Sequence, residues 1–246
     1  MYYFASDVHL GAGDELLSRR TEERFVRWLD KIAEDADTIF LVGDIFDFWF
    51  EYGHIVPKGF ARTLGKLAEL TDKGIKVVML TGNHDMWARD YLTKECGVEL
   101  YHTPQEFCIA GKNIFVAHGD NMNIKNFSML RLMNTAFRSK TMRWLFSWLI
   151  HPDWAMRFGK WWSGKSRKSH SKDHIDDSSL GFLIDYAKEH KEKHTNTDYI
   201  IFGHMHYAHD HNVEGLRVIF LGAWDGDKPA AYATIDANGN IGIKTF

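Results

Sequence analysis

The sequence predicts an α/β fold in which two packed β-sheets are flanked by helices. The first three predicted strands alternate with helical segments, which indicates parallel pairing through helical crossovers. After residue 198 the pattern changes to short strands joined by turns, which is typical of antiparallel pairing. Both kinds of connection within 246 residues favour two mixed sheets in one domain that covers the whole chain.

Apolar periodicity and turn residues predict the individual elements. Phe25, Trp28 and Leu29 lie on one stripe of the first helix, and Gly74 is typical of a residue that ends the second. We predict helices over residues 18–34, 58–73, 88–95, 126–162 and 175–194, and a polar, basic loop over residues 164–173. We predict strands over residues 2–6, 39–42, 76–81, 107–110, 114–117, 199–202, 217–221, 231–235 and 241–246, with the fourth and fifth joined as a hairpin.

Five of the predicted strands end in side chains that can bind metals or carry protons. Because open α/β sheets bind ligands at the carboxyl ends of their strands, we expect these side chains to meet at one rim. Asp44 follows the buried run at residues 39–42, which we take as the central strand. The others that follow a strand end are Asp7, His9, Asn83, His84, His118, His204 and His206.

This mixture of carboxylate, amide and imidazole groups predicts a transition-metal centre. It suits Mn, Fe or Zn, whereas Ca prefers oxygen ligands alone. Residues i and i+2 of an extended segment point the same way, so we expect Asp7 with His9, and His204 with His206, each to bind from one face. The seven predicted ligands are Asp7, His9, Asp44, Asn83, His118, His204 and His206.

Seven ligands are too many for one ion and favour two, with Asp44 as the bridge. Asp7, His9 and one closing histidine would then hold one ion, while Asn83, His118 and the other closing histidine hold its neighbour. Two divalent ions about 3.5 to 4 Å apart lower the pKa of a bridging water and clamp phosphoryl oxygens, so no side-chain nucleophile is needed. The sequence therefore predicts hydrolysis at phosphorus.

His84 is the candidate catalytic residue, because it stands between the predicted ligand Asn83 and Asp85. As a non-ligand it could hold a proton against developing negative charge or give it to the leaving oxygen. Either Asp85 or a nearby backbone carbonyl would fix its tautomer. The alternatives are a further metal ligand or a surface histidine.

The order and spacing of these residues resemble the signature of the calcineurin-like metallophosphoesterases over residues 1–207. The resemblance implies a four-layer α-β-β-α sandwich and a dinuclear centre. It implies Asp7, His9, Asp44 and His206 on one metal, and Asp44, Asn83, His118 and His204 on the other, with His84 as the catalytic histidine. The matching motifs are Asp7-x-His9, Gly43-Asp44-x-x-Asp47, Gly82-Asn83-His84-Asp85, His118 and Gly203-His204-x-His206.

Within this family the chain resembles the pyrophosphohydrolases of lipid A synthesis, which split UDP-2,3-diacylglucosamine into UMP and 2,3-diacylglucosamine 1-phosphate. That resemblance implies two divalent metals, with Mn preferred over Fe or Zn, and a peripheral position on the cytoplasmic face of the bacterial inner membrane. It departs from the better-known branch at His84, where that branch has Arg, and at residues 121–126, where that branch is acidic. The candidate substrate contacts are Asn83, Asn126, Lys165, Lys172 and His204.

A helical insert at about residues 121–172 differs in composition from the rest of the chain. It holds eleven Lys or Arg and one acid, for a charge of +10, whereas the remainder carries −13. Such a basic segment favours a partner with phosphates. Five of the nine Trp also lie here, as an interfacial cap on a bilayer would require. The alternative is a lid packed on the core with a solvated basic face.

Three further features bound the function. Cys96 and Cys108 are too few for a disulfide framework, and we expect both to be buried as small apolar groups. The first residues lack a basic, apolar leader, so no signal peptide is predicted, and no apolar run approaches the length of a spanning helix. The aromatic loop of Phe46, Phe48, Trp49 and Phe50 could fill the core or form a wall of the cleft.

Three other functions compete with the lipid reaction. One is a phosphodiesterase, nucleotide pyrophosphatase or protein phosphatase with a soluble substrate. Another is a nuclease, since basic residues interleaved with aromatics also suit single strands, although we do not expect nucleic acid as a partner. A binding scaffold without activity would show gaps among the predicted ligands, and the sequence has none.

Overall fold

The computed structural model describes residues 1–122, 139–170, 177–224, 226 and 228–246. The helices are α1 (Glu15–Ile32), α2 (Ala61–Asp72), α3 (Tyr91–Cys96), α4 (Lys140–Leu149), α5 (Pro152–His170) and α6 (Asp177–Lys193). The strands are β1 (Tyr2–Ala5), β2 (Thr38–Val42), β3 (Lys76–Leu80), β4 (Glu99–Tyr101), β5 (Gln105–Ile109), β6 (Lys112–Ala117), β7 (Tyr199–Phe202), β8 (His209–Val213), β9 (Leu216–Phe220), β10 (Ala231–Ile235) and β11 (Ile241–Thr245).

Two mixed sheets form the body of the protein. The first has the strand order β11-β10-β1-β2-β3-β4, in which β1 to β4 are parallel and β10 pairs antiparallel with both β1 and β11. The second has the order β5-β6-β7-β9-β8, in which β6, β7 and β9 are parallel and both edge strands antiparallel. Helical crossovers connect the parallel partners of the first sheet and β6 with β7, as the sequence predicts, whereas β7 reaches its parallel partner β9 through the edge strand β8.

Three apolar layers hold these elements together. Phe25, Trp28 and Leu29 of α1 pack on the outer face of the first sheet, together with Leu67 of α2. The inner faces of the two sheets meet in a second layer that contains a stacked pair, Phe4 and Phe40. In the third layer, Leu180, Leu183 and Ala187 of α6 cover the outer face of the second sheet. The order is thus α-β-β-α, and the predicted fold class is confirmed.

Helices α1 and α5 have bounds that differ from those predicted from apolar periodicity. Helix α1 begins three residues before the prediction because the Asp14 side chain accepts a hydrogen bond from the backbone N–H of Leu17, at 2.8 Å. The predicted loop at residues 164–173 is wrong over its described part, since α5 continues to His170. A polar composition does not end a helix, and a single Gly164 costs only about 1 kcal/mol.

At the sheet edges the structure contains two strands that the sequence did not predict, and one cysteine differs from its expected burial. Strands β4 and β8 were not predicted, because short edge strands carry no strong apolar alternation. Cys96 is buried as expected, whereas Cys108 is exposed. The alternating burial of β5 turns Phe107 and Ile109 inward and therefore turns Cys108 outward.

The described part of the insert consists of α4 and α5, which dock on the aromatic loop that follows β2. Phe146 of α4 packs against Phe50 and Trp87, with ring centroids 5.2 and 5.4 Å apart. Residues 126–138 of the predicted helical segment lie outside the described residues. None of the helices described here combines the length and apolarity that crossing a membrane requires.

Candidate metal centre

The predicted site residues follow the carboxyl ends of five parallel strands that meet at one rim. Backbone hydrogen bonds connect the loops directly: Asp7 N donates to Gly43 O at 3.1 Å, and Gly203 N donates to His118 O at 3.0 Å. A third bond, from His204 N to Asp7 Oδ2 at 2.9 Å, joins the two sheets. The fold therefore gathers residues that are up to 197 positions apart.

The backbone reaches this rim through left-handed turns. Five of the seven predicted ligands have positive φ angles, namely Asp7 (53°), His9 (49°), Asp44 (53°), His204 (68°) and His206 (56°). The expected extended geometry for the two i, i+2 pairs is therefore wrong, because each of those four residues leaves the strand in the left-handed region. This backbone costs on the order of 1–3 kcal/mol per residue and clusters at functional sites.

One cluster at the rim consists of Asp7, His9 and His206. His206 Nε2 lies 3.3 Å from Asp7 Oδ1 and 3.0 Å from His9 Nε2. The other oxygen of Asp7 accepts hydrogen bonds from the Ser6 hydroxyl at 2.5 Å and from His204 N. One carboxylate oxygen is thus anchored, while the other faces the two imidazoles.

A second cluster consists of Asp44, His118 and His204. His118 Nε2 lies 3.3 Å from Asp44 Oδ2, and the His118 and His204 rings are 5.2 Å apart. His118 Nδ1 donates to the carbonyl of Val42 at 2.9 Å, so in the neutral imidazole the lone pair available to a metal is on Nε2. Histidines that bind metals are oriented by the same kind of contact.

The packing around Asp44 leaves no space for a side chain at Gly82. A β-carbon there would come into direct contact with Asp44 Oδ1 and would lie 2.7 Å from His118 Nε2. The backbone N–H of His84 donates to the same Asp44 oxygen at 2.9 Å. The loop after β3 therefore closes over Asp44 and fixes its orientation.

The pKa values of the Asp and His side chains at the rim depend on burial and on the charges of their neighbours. Burial acts to lower the pKa of His118, but the Asp44 carboxylate outweighs it and holds that pKa well above its usual range. Burial acts to raise the pKa of Asp7, but the His206 imidazole, 3.3 Å from Oδ1, lowers it to about 2. Burial lowers the pKa of His204 to about 4, and the neighbouring His118 adds to this effect.

These residues fit divalent ions. Three buried atoms of this site have no hydrogen-bond partner: Asp7 Oδ1, Asn83 Oδ1 and His118 Nε2. Such atoms are costly to bury unless a ligand satisfies them. Carboxylate oxygens, an amide oxygen and imidazole nitrogens are also a donor set that transition metals accept.

His84 lies beside both clusters and is buried. Its Nδ1 donates to the backbone carbonyl of Asp47 at 2.7 Å, and its Nε2 lies 3.8 Å from Asp44 Oδ2. Of the two groups expected to fix its tautomer, the carbonyl therefore does so. Asp85 instead accepts the backbone N–H groups of Gly82 and Ile45 and joins the two loops.

Sequence reasoning missed the part played by Asp47 and Ser163. The Ser163 hydroxyl on α5 donates to Asp47 Oδ2 at 2.5 Å, and Asp47 Oδ1 lies 3.6 Å from His9 Nδ1. Asp47 thus connects the insert with two histidines of the rim. No sequence signal pairs residues 116 positions apart when one of them is an ordinary serine.

An apolar cleft opens next to His84, between the body and α5. The aromatic loop has both of its expected roles, since Phe46, Trp49 and Phe50 are buried and Phe48 lines the cleft. A side chain at Gly159 would collide with the Phe48 ring, so α5 approaches as closely as a helix can. The lining residues are Phe48, Asn83, His84, Met86, Trp87, Phe158, Gly159, Trp162 and Ser163.

The candidate substrate contacts are only partly within the described residues. Asn83 lines the cleft, and His204 belongs to the second cluster. Lys165 lies in the C-terminal half of α5, with a side chain outside the described part of the chain. Asn126 and Lys172 also lie outside the described residues.

Comparison with known proteins identifies the family. A family model described as calcineurin-like phosphoesterase matches residues 2–208, which is most of the chain. The chain belongs to the calcineurin-like phosphoesterase family. As a member of this family it is a hydrolase, and the family implies divalent metal ions at the His/Asp clusters of the rim.

Three curated relatives of this chain share the name "UDP-2,3-diacylglucosamine hydrolase". The protein of Porphyromonas gingivalis is 37% identical and covers 90% of this chain and 89% of its own length. That of Histophilus somni is 26% identical, covering 96% of this chain and 97% of its own. That of Neisseria gonorrhoeae is also 26% identical, covering 97% and 95%.

Replacement of Gly82 tests the close packing around Asp44. We expect Gly82→Ala to weaken divalent-metal binding by about 10–100-fold, because the added β-carbon must displace Asp44 or His118 and disturbing the groups that orient metal ligands typically costs that much affinity. Titration calorimetry with Mn²⁺ measures the effect. Gly65→Ala in α2 is the matched control, since its β-carbon would meet nothing within 4 Å. Equal affinities in both variants would show that the packing does not control the ligands.

The raised pKa of His118 predicts that metal affinity depends on pH. Because the Asp44 carboxylate raises its pKa, His118 keeps its proton to higher pH than an ordinary imidazole and must release that proton to bind an ion. Affinity should therefore rise with pH, by up to about tenfold per unit for one released proton. Calorimetry in two buffers of different ionisation enthalpy counts the protons. An affinity that stays constant between about pH 6 and pH 8 contradicts this account.

Proposed function

We propose that this protein hydrolyses the pyrophosphate of a UDP-linked diacylglucosamine to UMP and the diacylglucosamine 1-phosphate, with two divalent metals, Mn preferred. The main support for this proposal is that relatives of this chain share the name UDP-2,3-diacylglucosamine hydrolase. The relative that is 37% identical covers 90% of this chain and 89% of its own length. An apolar cleft that opens directly beside a rim of metal-binding side chains adds support, because a diacyl substrate needs both.

The two clusters share Asp44 in this proposal. Asp7, His9, Asp44 and His206 would hold one ion, and Asp44, Asn83, His118 and His204 the other. Carboxylate and amide oxygens beside imidazoles are compatible with Mn, Fe and Zn alike. When bound, such a pair supplies Lewis-acid polarisation of the phosphoryl oxygens and an activated water.

His84 acts on a proton in the proposed reaction. The carbonyl of Asp47 accepts from Nδ1 at 2.7 Å, so the transferable proton is carried on Nε2, on the side that faces the rim. There it offsets negative charge that develops on a phosphoryl oxygen or protonates the leaving oxygen. Because the same Asp47 accepts from Ser163, α5 supports the orientation of His84 from the insert side.

The cleft gives the proposed substrate its orientation. Phe48, Trp87, Phe158 and Trp162 offer apolar surface for the acyl chains, while Asn83 and His84 lie at the end where phosphorus would react. We propose Lys165, Lys172 and Asn126 of the insert as contacts for the nucleotide or the phosphates. The cationic groups would offset part of the charge of a pyrophosphate.

We further propose that the insert rests on the lipid surface that contains the substrate, at the cytoplasmic face of the inner membrane. Trp144, Trp148 and Trp154 are 63%, 73% and 71% exposed, although Trp is usually well buried. The two helices also carry Lys and Arg, which meet lipid phosphates while indole rings lie at headgroup depth. A lipid could then pass from the bilayer into the cleft beneath α5.

The reaction itself is tested with the purified protein and Mn²⁺. We expect UMP release from the UDP-linked lipid to exceed turnover of bis(p-nitrophenyl) phosphate and of single-stranded oligonucleotides. Asp44→Ala and His118→Ala should abolish turnover, whereas His84→Ala should lower kcat by about 10²–10⁴-fold with metal retained. Preferred cleavage of the soluble diester or of the oligonucleotides would replace the lipid assignment. Metal-dependent activity retained in Asp44→Ala would remove the bridging role of Asp44.

Membrane binding is tested by sedimentation with phosphatidylglycerol vesicles. The double variant Trp144→Ala/Trp148→Ala should weaken binding by more than about tenfold, since burying a large apolar side chain is worth about 1.5–3 kcal/mol. Leu16→Ala in α1 is the control, because Leu16 is 61% exposed but lies outside the insert. Binding that is equally strong for the double variant and the wild-type protein would contradict an interfacial insert.

A further inference from the structure

A second group of metal-binding side chains lies away from the rim, where the end of α6 meets the edge strand β5. It consists of Glu106, His190 and His194, each of which offers one ligand atom within 4.8 Å of the others. His194 Nδ1 lies 3.3 Å from Glu106 Oε1. His190 also contacts Thr197, just before β7, whereas the rim follows the other end of that strand.

The spacing of these residues agrees with a tetrahedral ion. His190 lies in the last turn of α6 and His194 directly follows the helix, where its backbone N–H donates to the carbonyl of His190 at 2.8 Å and keeps the two residues on one side. Bonds of about 2.0–2.1 Å at tetrahedral angles separate neighbouring ligand atoms by about 3.3 Å. The distance between His194 and Glu106 already has this value. The two rings stack in parallel with centroids 4.4 Å apart, so His194 needs a side-chain rotation to aim at the same ion.

One side chain of the three, His190, is held before any ion binds, and the backbone of a second is fixed in a strand. His190 is only 5% exposed, and its ring packs against Phe115 with centroids 4.4 Å apart. Its Nε2 lies 3.1 Å from Thr197 Oγ1, a contact of the type that orients histidines at metal sites. Glu106 stands on β5, which pairs with β6 along its whole length. The side chains of His194 and Glu106 are 51% and 59% exposed, so the ion has to order both of them.

Room for further ligands exists next to the cluster. Glu106 and Thr197 also line a recess of about 240 Å³ between the β5–β6 hairpin and the start of β7. A site with three protein ligands completes its coordination with water, and the recess gives water access. Two imidazoles with one carboxylate form a donor set that zinc accepts readily, whereas Mn prefers more oxygen ligands.

We propose that Glu106, His190 and His194 form a third metal site, selective for zinc-class ions, that ties the end of α6 to the edge of the second sheet. The site is independent of the dinuclear centre proposed at the rim. An ion there connects the helix that covers the outer face of the second sheet to the strand at its edge. It therefore stabilises the α6 layer and takes no part in the reaction.

The number of zinc ions per chain tests the site. Equilibrium dialysis of the full chain with Zn²⁺, followed by elemental analysis, should give one ion fewer for His194→Ala and for Glu106→Gln than for the wild-type protein. If the dinuclear assignment fails, the totals fall for all proteins but the difference of one remains. Equal zinc content in the wild-type protein and both variants overturns the third site.

Matched controls separate a metal site from a simple ion pair and from general surface binding. His211→Ala removes one of two neighbouring histidines on β8, whose rings lie 5.8 Å apart, and should keep the full zinc content. Cys108→Ser should also keep it, because the thiol is not among the proposed ligands. Loss of one ion in either control overturns the proposed ligand set.

Glu106→His gives the sharpest comparison, because it removes the ion pair with His194 but restores a ligand. We expect it to keep the third zinc ion. In the protein loaded with Mn²⁺, added Zn²⁺ should raise the Tm of the wild type and of Glu106→His, but not that of His194→Ala. A zinc-dependent rise of the same size in His194→Ala would overturn the link between α6 and β5.

Discussion

The buried carboxylate of Asp44 is the constraint on which the rest of the structure depends. It lies at the end of β2, near the middle of the first sheet, and holds the pKa of His118 in the second sheet well above its usual range. Burying such charges is costly unless they are paired. The glycine at position 82, the left-handed turn at Asp44 itself and the hydrogen bond from His84 N all keep its oxygens facing the rim.

The sequence predicts the fold and the gathering of the site well, because both follow from strong local patterns. Apolar runs that end in Asp44, Asn83 or His118 identify buried parallel strands, and the carboxyl ends of such strands meet at one edge. The left-handed turns could not be predicted in this way, since only a few per cent of non-glycine residues adopt positive φ, even though Asp and His do so more often than most, and tertiary contacts hold them there. The same limit applies to α5, where polar composition concealed a helix.

The other features that the sequence did not predict are contacts between segments that are distant in the chain. The orientation of His84 depends on the backbone carbonyl of Asp47. Because every residue has a backbone carbonyl, the sequence cannot indicate which one forms this contact. The hydroxyl of Ser163 reaches the side chain of the same residue from α5. The insert, which composition alone marks as a separate basic segment, is thus built into the surroundings of the candidate catalytic histidine.

The side chains of the rim come from loops of both sheets, so an ion bound there affects the stability of the folded protein. Asp7 and Asp44 follow strands of the first sheet, whereas His118 and His206 follow strands of the second. Any ion held between them is a cross-link that the unfolded chain lacks, so occupancy shifts the unfolding equilibrium by mass action. At a free concentration of a hundred times Kd this shift is about 2.7 kcal/mol, a sizeable part of the 5–15 kcal/mol or so that typically stabilises a domain. The supply of metal would thereby govern the lifetime of the protein as well as its turnover.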